Sequence, residues 1–189
     1  MATNLDVICQ YLGQGGYRYV RDEQHELVTI PFDHERVGKL VAMVTLEEDG
    51  AFLKIFSPKL FTYLDGPHKL PLMQTLLLIS WETKMLQWEY DPSDGEIRAT
   101  IEFPLEDAVL TRRQFDRAFG SLLQMIELFH PRLKAVIETG SDPGRAGGHT
   151  PSDDMMRAFQ EFLNGREGGG DGGAAPVGSG GGGSVPDAL

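Results

Sequence analysis

The chain has 189 residues, with 28 acids against 17 Lys and Arg and a formal net charge of −11. That balance is the reverse of the basic footprint that phosphate-backbone binding requires, so it sets nucleic acid and anionic lipid aside as partners. The longest apolar run, Leu76-Leu77-Leu78-Ile79, falls well short of the roughly 18 to 20 residues a membrane span takes, and no membrane association is expected.

The start, Met1-Ala2-Thr3-Asn4-Leu5-Asp6, shows neither a basic stretch nor an apolar one of the secretory kind, which predicts a cytoplasmic protein. Cys9 is the only cysteine, so an internal disulfide and a CxxC cluster are both excluded. It stands in an apolar helical pattern, as a buried structural thiol would.

In chain order, apolar residues at 5, 8, 9 and 12 mark one face of a first helix, which Gly13-Gln14-Gly15-Gly16 stops. Residues 17–20 and 27–32 read as two strands around a polar bend. Residues 39–46 and 51–63 flank Glu47-Glu48-Asp49-Gly50, where the Asp-Gly pair supplies positive φ for a hairpin. A second hairpin joins 86–90 to 96–103 through Asp91-Pro92-Ser93-Asp94-Gly95, and Ile97, Ala99, Ile101 and Phe103 alternate with polar residues. Between the hairpins, 70–84 has the length and apolar content of a helix buried on a broad face, with Pro71 tolerated in its first turn.

Thr111-Arg112-Arg113-Gln114 has the form of a capping box, and Phe115, Ala118, Phe119, Leu122, Leu123, Ile126 and Phe129 follow at spacings of three and four. His130-Pro131 is expected to break or kink this helix before Leu133, Val136 and Ile137 resume an apolar face. Taken together, these elements predict an α+β fold, a two-layer sandwich of a twisted antiparallel sheet and helices.

From Ser141 the composition changes, with Gly144, Gly147 and Gly148 close together. The folded body is therefore expected over 1–140, with a linker over 141–149. Residues 150–164 read as a short amphipathic helix, whose Met155, Met156, Phe159, Phe162 and Leu163 form one apolar stripe suited either to a partner's groove or to packing on the protein's own sheet or across a dimer. In 165–189, 11 of 25 residues are Gly, and this tail is expected to be disordered.

The order of elements resembles the YbjN family, which shares the fold of class I type III secretion chaperones. The resemblance runs over about 5–137 and rests most on Phe103-Pro104-Leu105-Glu106-Asp107 and on Leu110-Thr111 opening the long helix, with Gly15-Gly16-Tyr17 matching more loosely. The glycine-rich tail lies outside the pattern. Family members are described as regulators of sensory transduction, and the fold relatives as dimers that hold extended segments of client proteins. The resemblance thus implies a non-catalytic, homodimeric regulator or chaperone-like adaptor in the bacterial cytosol, whose partner is another protein, a client or a signalling partner.

Catalytic and cofactor chemistry finds no focus in the sequence. Gly13-Gln14-Gly15-Gly16 lacks the Gly-Lys-Ser/Thr ending of a phosphate loop and follows a helix, so a helix stop suffices. Asp33-His34-Glu35, near His25, places possible ligands on opposite faces of a strand and reads as a solvated loop. Asp91, Ser93 and Asp94 hint at calcium, but Glu96 stands where an EF-hand requires Gly. No serine sits in a GxSxG context. No catalytic residue, cofactor or metal is assigned. The alternatives are a module sensing a small ligand between sheet and helix and, behind it, a cryptic hydrolase. A closed polar pocket near His34 or His68 would favour either, and an exposed apolar groove would favour a protein partner.

Overall fold

The structure, a computed structural model, describes residues 3–144. They lie in a unit that runs Met1–Ser152, and the unit Asp153–Leu189 is outside the described residues. The elements follow in the order α1 (Leu5–Gln14), β1 (Val20–Asp22), β2 (Leu27–His34), β3 (Gly38–Glu47), β4 (Phe52–Thr62), α2 (Lys69–Glu82), β5 (Gln87–Tyr90), β6 (Glu96–Pro104) and α3 (Arg112–Thr139). A short 3-10 turn, Glu48–Gly50, joins β3 to β4.

Local chemistry sets the element ends. Asn4 caps α1 by accepting from the Val7 amide. At the other end Gly16 takes φ 74°, and the Tyr17 amide reaches back to the Leu12 carbonyl at 3.0 Å, so the glycine run acts as the expected helix stop. Thr111 and Gln114 form the reciprocal capping box of α3. In the β5–β6 turn the Asp91 carboxylate accepts from the Ser93 amide and hydroxyl, and Gly95 has φ 78°. These are turn bonds rather than the ligand arrangement of a cation loop.

The six strands form one antiparallel sheet in the order β1-β2-β3-β4-β6-β5. The chain leaves β4, crosses through α2 to lay β5 at the far edge, and returns as β6 between them. Alternation then assigns the faces. Val28, Ile30, Ala42, Val44, Leu46, Leu53, Ile55, Ile97, Ala99 and Ile101 are buried on one face, in register as Val44↔Ile55 and Ile55↔Ile101. Phe115, Phe119, Leu122, Ile126, Phe129 and Leu133 of α3 complete that core, along with Ile8 and Leu12 of α1 and Leu72 and Ile79 of α2. Cys9 is buried with them. The intervening residues, among them Thr29, Val41, Met43, Phe56 and Arg98, form the second face.

Three expectations are corrected. The first strand is Val20–Asp22 rather than 17–20, because Tyr17 turns inward to pack on Phe119 at 5.0 Å and Phe32 at 6.0 Å. The long helix does not end at His130-Pro131; α3 continues through Pro131 to Thr139, where Gly140 in the left-handed region (φ 72°) closes it. Pro131 forfeits one backbone bond, yet Phe129, Leu133 and Val136 on either side of it stay buried on the same core, and that burial outweighs the loss. The third correction concerns α2.

Candidate functional site

A helix of 14 residues with only Lys69 and Glu82 charged, at its two ends, α2 has no polar face to turn toward water. Leu72, Thr75, Leu76 and Ile79 occupy one side and are buried. Leu70, Gln74, Leu77, Leu78 and Trp81 fall within about 100° of one another on the other side. Leu70, Leu77 and Trp81 are 68%, 72% and 64% exposed, and Leu78 is exposed as well. The expected burial on a broad face is thus half right: one apolar stripe meets the core, and its opposite is left bare. From Leu70 to Trp81 the stripe runs about 17 Å along the helix at 1.5 Å per residue. Exposed Met85, which takes φ 71° to turn the chain into β5, extends the apolar surface beyond the helix end.

Both ends of α2 are held against α3. At the start, the His68 ring donates from Nδ1 to the Ile137 carbonyl at 2.9 Å, which fixes that nitrogen as the protonated one. Gly140 leaves room for this ring, since a Cβ there would lie 2.6 Å from His68 Cδ2. At the other end Arg132 reaches Glu82 at 2.9 Å and grips Asp142 through both Nε and Nη2 at 2.7 Å. Arg132 is 7% exposed, so this is a buried guanidinium shared by two carboxylates. Its hydrogen bonds hold the Asp142 carboxyl below the usual carboxylate range and raise the guanidinium's own pKa. Through Glu82 the last turn of α2 is oriented so that Trp81 faces outward.

The residues singled out from sequence are placed as follows. His34 ends β2 with Nε2 3.4 Å from Glu127, while Asp33 stands on the other face of the strand. The cleft beside them, lined by Phe32, Val37, Leu40 and Leu123 as well, is small, about 70 Å³, and mostly apolar. His68 is committed to Ile137, as described. No three of His, Cys, Asp and Glu gather as a metal site among the described residues, and none of the described helices is long and apolar enough to cross a membrane. Met155, Met156, Phe159, Phe162 and Leu163 lie outside the described residues. The bare stripe of α2 was missed by the sequence reading. Its signal was there, in a helix apolar at every angle with no charge between its ends.

No family model matches the sequence, and no curated protein matches it. Among solved structures, YbjN from E. coli superposes with a TM-score of 0.54 over 71% of this chain and 92% of that chain, at 16% identity. A chain of the ExsC–ExsE complex superposes with a TM-score of 0.51 over 70% of this chain and 97% of that one, at 15% identity. The HopA1–SchA chaperone–effector complex follows at 0.45, covering 65% and 88% at 15% identity. The fold is therefore the one implied by the resemblance of the sequence to YbjN, an α+β sandwich of the secretion-chaperone kind.

Proposed function

We propose that the protein is a non-catalytic binder of other proteins, a regulator or chaperone-like adaptor of the bacterial cytosol, and that it works as a homodimer joined through α2. The observation that carries the dimer is the charge-free stripe Leu70, Leu77, Leu78 and Trp81, bare on a chain of net charge −11. A surface this apolar is costly to leave in water, and a second copy offers an identical stripe without placing like charges against each other. Met85 and the free edge of β5 continue the patch toward the area of about 800 Å² per partner that stable interfaces cover.

The reading of protein binding is supported by the company the fold keeps. YbjN is described as a candidate transcription regulator, and the ExsC–ExsE structure is a complex of two proteins. The cleft beside His34 is mostly apolar and holds only about 70 Å³, well under the roughly 300 Å³ at which small-molecule pockets begin, so it suits a partner's side chain better than a small polar ligand. Residues Met155, Met156, Phe159, Phe162 and Leu163 are proposed as a further partner-binding stripe. Strong protection of their amides from hydrogen exchange in the free protein would count against that role.

The dimer is tested by light scattering on the full chain at tens of micromolar. The wild type is expected to elute at twice the monomer mass, and Leu77→Asp with Trp81→Glu at the monomer mass with an unchanged circular dichroism spectrum. A monomeric wild type, or a double variant that stays dimeric, overturns it.

A further inference from the structure

Three aspartates among the described residues precede a glycine: Asp49, Asp65 and Asp94. An aspartyl side chain has the length at which the amide nitrogen of the next residue can attack it and close a five-membered ring, and a glycine there leaves the approach free of a Cβ. The fold treats the three pairs differently. At Asp94 both reacting groups are engaged elsewhere: the carboxylate accepts from the Glu96 amide at 2.9 Å, and the Gly95 amide donates to the Asp91 carbonyl at 2.9 Å. At Asp49 the following Gly50 is buried, so close under Thr3 that a Cβ would lie 2.5 Å from the Thr3 carbonyl oxygen.

Asp65 is exposed, in the connection between β4 and α2, and its Oδ1 stands 2.9 Å from the Gly66 nitrogen. The carboxyl is already folded back on the nitrogen that attacks it, which removes much of the search for a reactive geometry. No salt bridge draws it away among the described residues.

We infer that Asp65 is a site of spontaneous isomerisation to isoaspartate, and that this change slowly releases the start of α2. The Gly66 nitrogen bonds to the Asp65 Cγ, and the hydroxyl of the carboxyl leaves as water with the amide proton, which closes a succinimide. One water then opens the ring. When it adds at the backbone carbonyl carbon of Asp65, the bond from that carbon to nitrogen breaks, and the chain runs on through Cγ with the backbone carboxylate left as the side group. One water leaves and one enters, so the mass is unchanged.

The product carries one more atom in the main chain. Three residues further on, the His68 ring donates to the Ile137 carbonyl and the His68 amide donates to the Tyr63 hydroxyl. Gly66 is itself wedged against that hydroxyl, since a Cβ on it would fall 2.4 Å from the oxygen. A loop fitted this tightly has no slack for an inserted atom, so isomerisation pulls on the His68 anchor. The site stands apart from the binding function proposed above and does not depend on it.

Full-length protein held for several weeks at physiological temperature and neutral pH, then digested with trypsin, tests it. The three pairs fall in separate peptides, 40–54, 60–69 and 85–98, and isoaspartate is read in each by chromatography and electron-transfer mass spectrometry. Asp65 is expected to convert at least about tenfold faster than Asp49 and Asp94 in the folded protein, and at a rate similar to theirs in guanidinium chloride, where only the local sequence acts. Equal rates in the folded protein, or a lead for Asp65 that persists in denaturant, overturn the assignment. Asp65→Glu keeps the charge on a side chain one carbon too long for the five-membered ring. The wild type is expected to lose more Tm on ageing than Asp65→Glu, and equal losses overturn the release of α2.

Discussion

At the scale of single residues, Arg132 does the most positioning. Its guanidinium is buried between Glu82, 6% exposed, and Asp142, 23% exposed, so removing it strands two carboxylates with little water to solvate them. Arg132→Ala is expected to lower unfolding stability by about 3–5 kcal/mol, the range for breaking a buried pair from one side, as read by urea denaturation. The pH dependence follows from Asp142, whose folded pKa is depressed by Arg132. A depressed carboxylate contributes stability above its unfolded pKa and loses it as pH falls through the folded value. The wild type should therefore lose stability below about pH 4, and Asp142→Asn should be less stable at pH 7 but flatter across the acid range. An unchanged acid limb in Asp142→Asn would contradict this account of the trio.

The elements show how neighbouring positions divide between two roles. Leu76 and Leu77 are adjacent in sequence, yet Leu76 is 4% exposed and Leu77 72% exposed. Leu76→Ala is expected to cost about 2–4 kcal/mol through the cavity it leaves. Leu77→Ala should stay within about 0.5 kcal/mol for the folded monomer and show its effect in association instead. In α3, Pro131 withholds a backbone bond from a helix that is otherwise continuous. Pro131→Ala restores the donor and should raise stability by about 1–3 kcal/mol, measured as a higher Tm. A fall in Tm would contradict the cost assigned to the missing bond.

For the whole molecule, assembly and stability are one question. If α2 joins two copies, the wild-type Tm rises with protein concentration by mass action, while Leu77→Asp with Trp81→Glu melts at a Tm independent of concentration. A wild-type Tm that does not move between about 1 and 100 µM would speak against the dimer at the scale where it matters.

Much of this fold is legible along the chain because it is local. The turns at Glu48–Gly50 and Asp91–Gly95, the Thr111 cap, the alternation of Ile97, Ala99 and Ile101, and the α3 stripe each depend on residues within a few positions of one another. Periodicity and turn chemistry report such features directly. What the tertiary structure alone decided depends on residues distant in sequence. An apolar helix such as α2 does not reveal which side meets the core, because both stripes have the same hydropathy. The choice is made by Ile137 and Arg132, 69 and 50 positions away, which seize His68 and Glu82. Pro131 announced a break that did not occur, since helix propensity is a weak local preference against burial on a shared core. The difference between the Asp-Gly pairs was likewise beyond local reading, for the dipeptides are identical, and only the fold turns the Asp65 carboxyl onto the Gly66 amide while engaging Asp94 elsewhere.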